Sequence, residues 1–271
     1  MSGGGGAGAV PTALLRRIEA DVLIAAARRR VVADIGPYRT FIDPETDDPG
    51  QSFAMPVRPW CPTGWRAEVQ AVSTRFRDHR RVPRVEVFDR AWPGLDERLL
   101  MAGWSTELRS VVMVRQGPAT ASPTGAQGRH PVRVAGADAT DDDVQQFLHT
   151  TQAAFGIDTP LSTPGEVARL RADLSAGRLV IALVGDARPR VACGSLLVGA
   201  GAVGLADVGT VPDARHQGHA RGLCAALLDH PAARAAPVVW LSTANGAALE
   251  LYDRHLGFQP AGTHTCYRRA A

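Results

Sequence analysis

Apolar residues recur with helical spacing near the amino terminus and form short runs over much of the remaining chain. Leu14, Leu15, Ile18, Val22 and Ala26 lie three or four residues apart, which predicts an amphipathic helix over residues 12–30. The same spacing and the helix-start signals predict further helices at 65–80, 95–101, 141–155, 163–174, 218–228 and 247–255. Apolar runs between turn residues predict strands at 38–43, 52–57, 82–88, 106–114, 132–135, 179–184, 192–198, 203–211, 238–241 and 263–268. Antiparallel strands followed by a strand–helix–strand crossover indicate an α/β fold with a mixed sheet.

The distribution of turn-forming residues predicts two domains in the 271-residue chain. Residues 116–130 are rich in Gly, Pro and Ser and poor in apolar side chains, which is typical of a linker. The sequence therefore predicts one domain over 1–115, with a flexible Gly-rich tail at 1–10, and a second over 131–271.

The composition excludes several classes of function. All 30 basic residues are Arg, so no lysine can form a Schiff base or clamp a phosphate, and the net charge of +3 demands neither a nucleic-acid nor a membrane partner. The longest apolar run, 196–206, is too short to span a bilayer. Because the four cysteines are far apart, we expect neither a metal site nor a disulfide framework, and we predict a cytoplasmic protein with reduced thiols.

The two halves resemble each other when Gly103 is set against Gly257. Trp104 then aligns with Phe258, and the strand predicted at 84–89 aligns with the strand at 238–243 without a gap. This match predicts an internal repeat of strand, helix and Gly-aromatic turn.

The sharpest chemical feature is the strand, loop and helix from Val208 to Ala220, with the spacing Arg-x-x-Gly-x-Ala. The start of a helix offers unpaired main-chain N–H groups and a partial positive charge, which favour an anion. Gly218 and Ala220 would let a diphosphate approach closely, and Arg215 would add a charged donor. An incidental glycine at a helix start explains the spacing alone, but the position between an apolar strand and a helix favours the anion site.

A second feature covers residues 245–258 and ends in Gly257-Phe258. Asn245 is placed to cap a helix, Tyr252 lies on its apolar face, and Gly257 can end it. A tyrosine on such a face can simply belong to the core.

Together, the two features resemble the GNAT-type N-acetyltransferase superfamily over roughly residues 131–271. The resemblance implies two GNAT-like acyl-CoA N-acyltransferase domains in tandem, with acetyl-CoA as cosubstrate and no metal. The cofactor-binding residues that it implies are Val208, Gly209, Thr210, Arg215, His216, Gln217, Gly218, His219, Ala220 and Asn245. His216 and His219 are expected at the surface, near the cofactor.

The chemistry of acetyl transfer assigns two further candidates. An amine attacking a thioester must lose a proton, and Asp207 is the best-placed carboxylate for that base, with a water chain as the alternative. The departing thiolate, with a pKa near ~8.5, can be protonated by a tyrosine hydroxyl with a pKa near ~10, and Tyr252 is the candidate general acid.

The first half lacks these features, because Arg98 stands opposite Tyr252 in the repeat and Ala91 opposite Asn245. We therefore interpret residues 1–115 as a degenerate GNAT-like domain. The predicted function is acetyl transfer to the primary amine of a small molecule, by a monomer or homodimer. A non-catalytic acyl-CoA-binding regulator is the alternative.

Overall fold

The computed structural model describes residues 11–61, 63–117, 130–158, 160–186 and 188–270. They fall into two compact units: unit 1 holds 1–113, 242–246 and 260–271, and unit 2 holds 114–241 and 247–259. The predicted tail at 1–10 and most of the predicted linker at 116–130 lie outside the described residues. The domain boundaries at 115 and 131 stay a prediction.

Unit 1 is built on a sheet that helices cover. Its helices are α1 (Thr12–Ala27), α2 (Trp65–Asp78) and α3 (Leu95–Met101). Its strands are β1 (Val31–Ile35), β2 (Tyr38–Ile42), β3 (Phe53–Pro56), β4 (Arg84–Phe88), β5 (Ser105–Gln116, to Met113 in this unit) and β11 (Gln259–Arg268). The strand order is β1-β2-β3-β4-β11-β5.

The last strand of the chain thus belongs to unit 1. β11 pairs antiparallel with β4, in a register that runs from His264 opposite Phe88 to Arg268 opposite Arg84. Residues 176 to 184 positions apart in sequence therefore share one ladder. The chain closes unit 1 only when its carboxyl-terminal segment is in place.

The strands of unit 2 pair in a mixed pattern. Its strands are β6 (Val132–Ala135), β7 (Leu179–Val184), β8 (Ala192–Val198), β9 (Val203–Thr210) and β10 (Val238–Thr243), and its helices are α4 (Asp141–Phe155), α5 (Pro164–Ser175), α6 (His219–Asp229), α7 (Pro231–Ala235) and α8 (Gly246–Leu256). β6 to β9 pair antiparallel in sequence order, and β10 pairs parallel with β9. This is the mixed sheet that the sequence predicts.

Local chemistry explains where α4 begins. The Thr140 hydroxyl accepts the Asp143 main-chain N–H at 3.1 Å, and the Asp143 carboxylate accepts the Thr140 N–H at 2.8 Å, which forms a capping box. Arg133 on β6 donates two hydrogen bonds to the same carboxylate, and this contact lowers the pKa of Asp143 well below its usual range. The helix start is therefore tied to the neighbouring strand.

The internal repeat is visible at two helix ends. Gly103 after α3 and Gly257 after α8 both adopt left-handed backbone conformations, with φ of 81° and 71°. Each is followed by a buried aromatic side chain, Trp104 or Phe258. Among the residues that the structure describes, no helix has the length and apolar character that crossing a membrane requires.

Candidate active site

A β-bulge interrupts the ladder between β8 and β9. Cys193 pairs with Gly209 and Ser195 pairs with Ala206, so one residue on β8 faces two residues on β9, Asp207 and Val208. Asp207 takes a left-handed conformation with φ of 54°, which is unusual for a residue other than glycine. Such a bulge redirects a side chain and leaves main-chain groups outside the ladder.

The Asp207 carboxylate is held from β8. The Ser195 hydroxyl, itself fully buried, donates a hydrogen bond to Asp207 Oδ2 at 2.7 Å. Asp207 keeps a solvent-exposed surface, yet the surrounding protein removes enough water to raise the pKa of its carboxyl, and the Ser195 bond lowers it only in part. The carboxylate is thus a stronger base than a free aspartate and has a defined orientation.

A cysteine lies behind this carboxylate. Cys193 is buried, and its sulfur lies 3.4 Å from the Thr151 hydroxyl on α4 and 3.5 Å from the Asp207 carbonyl oxygen. Burial raises the pKa of Cys193 to about 11, so its thiol stays protonated near neutral pH. Cys193 therefore supports the bulge and is not a nucleophile.

Two glycines bring the helices close to these strands. A Cβ on Gly194 would lie 2.5 Å from Leu223 Cδ2 of α6, and a Cβ on Gly209 would lie 2.7 Å from Ala154 Cβ of α4. A side chain at Gly209 would require α4 to move, because Ala154 Cβ is fixed to its backbone, whereas a side chain at Gly194 would require the buried Leu223 side chain to shift. Packing thus accounts for Gly209, which the sequence analysis assigns to the cofactor site.

The start of α6 is open. Gly218 caps the helix with φ of 82°, no side chain caps it, and a Cβ placed on Gly218 would meet no atom within 4 Å. The main-chain N–H groups of residues 216–221 make no hydrogen bond to another group in the described part of the chain. These orphan donors and the helix dipole create the geometry that favours a bound anion.

The Arg215 guanidinium is partly used in contacts within the protein, and these contacts hold the loop that connects β9 to α6. Its Nε donates to the Thr210 carbonyl at 3.2 Å and its Nη2 donates to the Ala154 carbonyl at 3.0 Å. Ala154 lies in the last turn of α4, where a cation is favoured. Arg215 therefore fixes the loop that connects β9 to α6 by bonding to a carbonyl of β9 and to a carbonyl of α4.

The two histidines of the loop differ. His216 is exposed and has a left-handed backbone with φ of 63°. The expectation of a surface position is wrong for His219, which is only 3% exposed. Its two ring nitrogens make no hydrogen bond to any described residue, and its ring centroid lies 5.4 Å from that of His130. Burial, together with nearby His130, lowers the pKa of His219, so the neutral ring is favoured.

Tyr252 lies on the buried side of α8. Its ring meets Phe258 edge-on with centroids 5.9 Å apart, and its hydroxyl makes no hydrogen bond to another described residue. Burial, with a smaller contribution from the neighbouring Cys224 thiol on α6, raises the pKa of Tyr252 far above its usual value. The hydroxyl therefore stays protonated, and Tyr252 lies beside the helix that starts at the open loop. Asn245 directly precedes α8, as predicted.

The structure thus assembles two groups of predicted residues within unit 2. Asp207 to Thr210 form the bulged strand, which leads through Arg215 into the open start of α6, and Tyr252 packs near the second turn of that helix. Sequence reasoning missed Ser195, Cys193 and Thr151. A serine inside the apolar run of β8 is a detectable signal, because a buried hydroxyl needs a hydrogen-bond partner.

A cavity of about 430 Å³ lies elsewhere, between α4 and α5. It is lined by Asp141, Gln145, Ser162, Pro164, Val167, Ala168 and Arg171. Asp141 begins α4, whereas Ala154, which contacts Arg215, lies thirteen residues further along, or ~20 Å at ~1.5 Å per residue. The cavity thus shares no lining residue with the bulge or with the start of α6.

Solved structures share this fold. A GCN5-related N-acetyltransferase from Kribbella flavida matches with a TM-score of 0.73 and 19% identity, over 94% of this chain and 95% of that chain. A GCN5-related N-acetyltransferase from Sphaerobacter thermophilus matches with a TM-score of 0.65 and 16% identity, over 96% and 94%. A tandem GNAT protein from the clavulanic acid biosynthesis pathway matches with a TM-score of 0.54 and 14% identity, over 85% and 77%.

The fold is therefore that of the GNAT-type acetyltransferases, and the predicted mixed α/β fold with GNAT-like halves is confirmed. The chain belongs to the family described as "Probable histone acetyltransferase Rv0428c C-terminal", whose model matches residues 50–268. No curated protein sequence matches the chain.

Proposed function

We propose that this protein transfers the acetyl group of acetyl-CoA to the primary amine of a small molecule, by direct attack and through a tetrahedral intermediate. The single observation that carries the proposal is the bulged strand that leads into an uncapped helix start with orphan N–H groups. Membership of an acetyltransferase family supports the same class of reaction.

Acetyl-CoA fits the donors that this region offers. Its diphosphate carries negative charge, and the N–H groups at residues 216–221, in front of open space at Gly218, suit that charge. The main chain of Val208 to Thr210 would hold the pantetheine arm, since the bulge releases part of β9 from its ladder with β8. Main-chain N–H donors at the same place would stabilise the oxyanion of the intermediate.

Asp207 is the proposed general base. A primary amine is mostly protonated at neutral pH and attacks only as the neutral form. A carboxylate with a raised pKa accepts its proton more readily than an ordinary aspartate, and the bond from Ser195 orients it. A chain of waters remains the alternative route for this proton.

Tyr252 is proposed to act on the leaving sulfur. Its raised pKa keeps the hydroxyl protonated but also makes it a weak acid, which favours a hydrogen bond to the departing thiolate over complete proton transfer. The proposed contribution of Tyr252 is therefore stabilisation of the negative charge that develops on sulfur.

Local charge supports a small acceptor. Recognition of a basic protein tail requires a negatively charged surface. Between residues 203 and 221 the chain has two carboxylates, Asp207 and Asp213, and two arginines, Arg215 and Arg221. The sum of these charges gives a basic tail no net attraction.

The test is a thiol-release assay with acetyl-CoA and a panel of small primary amines, amino acids and lysine peptides. We expect thiol release that depends on a small amine, with formation of the acetylated amine confirmed by mass spectrometry. Turnover confined to lysine peptides would contradict the proposed acceptor. Tight CoA binding with no turnover on any amine would contradict catalysis and favour the acyl-CoA-binding regulator.

A further inference from the structure

Three potential metal ligands meet on one face of the β4–β11 ladder, inside unit 1. Glu86 lies directly opposite Cys266, and Phe88 lies opposite His264. Since side chains two residues apart on a strand share a face, His264 and Cys266 point to the same side as Glu86. One ligand atom from each of Glu86, His264 and Cys266 lies within 4.8 Å of the other two.

The His264 imidazole lies against the Glu86 carboxylate without a well-directed hydrogen bond. His264 Nε2 is buried and forms no hydrogen bond to any described residue, although Glu86 Oε2 lies 3.2 Å away, off the direction that a hydrogen bond requires. The Phe88 ring lies against the imidazole, with centroids 4.8 Å apart, and limits its rotation. His264 Nε2 therefore faces a carboxylate at ion-pair distance without a well-directed hydrogen bond, a geometry that an ion bound to both groups would satisfy.

A neighbouring arginine fixes the carboxylate. Arg84 donates to Glu86 Oε1 at 2.6 Å and to Glu107 Oε2 at 2.7 Å. Glu86 is thus oriented, with its second oxygen directed toward His264. Metal-binding carboxylates commonly have such outer partners.

The donor set matches the chemistry of zinc. Zn²⁺ binds one thiolate sulfur, one imidazole nitrogen and one carboxylate oxygen at ~2.3, ~2.0 and ~2.0–2.2 Å, and it accepts water as a fourth ligand. Ligand atoms of a tetrahedral site with these bond lengths are ~3.3–3.8 Å apart. Glu86 Oε2 and His264 Nε2, 3.2 Å apart, lie close to this spacing, and the Cys266 sulfur, within 4.8 Å of both, would have to approach them to complete the site.

We propose that Glu86, His264 and Cys266 form a structural Zn²⁺ site that pins the last strand of the chain to β4. The prediction of no metal rested on the wide spacing of the four cysteines, whereas Glu86 and Cys266 are 180 positions apart in sequence and meet only across the β4–β11 ladder. Binding requires Cys266 to release its proton to solvent. The negative charges of the thiolate, Glu86 and Glu107 then equal the positive charges of Zn²⁺ and Arg84. The site lies outside the acyl-transfer residues and does not depend on the proposed function.

Titration of the full-length, metal-free protein with Zn²⁺ against a chromophoric chelator tests the proposal. We expect one ion per chain, and with Co²⁺ a thiolate-to-cobalt charge-transfer band together with the visible bands of a four-coordinate ion. Cys266→Ser should abolish the charge-transfer band and weaken Zn²⁺ binding by more than ~100-fold, beyond the range for loss of an outer partner. Cys61→Ser, which alters an exposed thiol, is the matched control and should change neither.

Folding is checked separately, by circular dichroism of each variant without metal. Zn²⁺ should raise the Tm of the wild-type protein and of Cys61→Ser, but not of Cys266→Ser or His264→Gln, because a ligand stabilises only a state that binds it. If Cys266→Ser fails to fold, His264→Gln provides the same test. Stoichiometric binding that persists in the folded His264→Gln variant, loss of binding in Cys61→Ser, or no binding by the wild type would overturn the proposal.

Discussion

Replacing Gly218 by aspartate and, separately, by asparagine isolates the electrostatics at the start of α6. Asn and Asp have nearly the same shape, and both tolerate a left-handed backbone better than other residues. Neither should clash, because a Cβ at this position would meet no atom within 4 Å. Both variants carry the same backbone strain at φ of 82°, so the difference between them reports charge alone.

The size of that difference follows from Coulomb's law. The repulsion between two unit charges of the same sign ~4 Å apart is ~1 kcal/mol in water and ~4 kcal/mol at an effective dielectric constant of ~20. A CoA diphosphate carries two charges, so even the lower value gives ~2 kcal/mol, or about 30-fold weaker binding for Gly218→Asp than for Gly218→Asn. Added salt should reduce the gap, since the position is open to solvent.

Isothermal titration calorimetry with CoA, at low and high salt, measures both affinities. We expect Gly218→Asn to stay within several-fold of wild type and Gly218→Asp to bind at least tenfold more weakly than Gly218→Asn. Equal affinities for the two variants would refute an anion site at Gly218.

Three other predictions concern the site and its packing. Ser195→Ala removes a hydrogen bond that lowers the pKa of Asp207, so the acid limb of the kcat/KM profile should move to higher pH; an unmoved limb in a folded variant would speak against Asp207 as the base. Tyr252→Phe should lower kcat by at least tenfold and leave CoA affinity near wild type in calorimetry, and unchanged kcat would remove its catalytic role. Gly194→Ala should destabilise the protein by ~1–3 kcal/mol through overpacking against Leu223 of α6. The control Gly136→Ala, where a Cβ meets no atom within 4 Å, should leave the free energy of unfolding in denaturant nearly unchanged. Equal effects of the two variants would contradict the packing argument.

Helix and strand bounds followed largely from the sequence, because apolar periodicity and caps are local. α4, β7 and β8 occupy the predicted residues, and Thr163, the first residue of the helix predicted over 163–174, caps α5 by accepting the Glu166 N–H at 3.2 Å. β1 was missed, since the predicted helix ran to Arg30 and Val31 and Val32 are exposed, so its pattern shows no buried face. α7 was missed because its start is capped by the unusual acceptor His230 Nδ1.

The candidate site was predictable only in its chain-local part. The helix start at Gly218 and the position of Tyr252 could be predicted because each depends on neighbouring residues. The bulge at Asp207 depends on the register of β8 against β9, and the role of Arg215 depends on Ala154, which lies 61 residues away. The buried state of His219 likewise arises from tertiary packing that no local pattern reports.

The position of β11 in the sheet likewise depends on tertiary pairing and not on local sequence. Its apolar pattern predicts a strand near residues 263–268, but no local signal names its partner. Only the register with β4 places Cys266 opposite Glu86, and so creates the cluster to which we assign a metal.

A crystal structure of the protein with CoA tests the central claim most directly. We expect the diphosphate to accept hydrogen bonds from main-chain N–H groups of residues 216–221, with the thiol end of the pantetheine arm directed along β9 toward Asp207 and Tyr252. A diphosphate bound away from the start of α6, at full occupancy, would contradict the account.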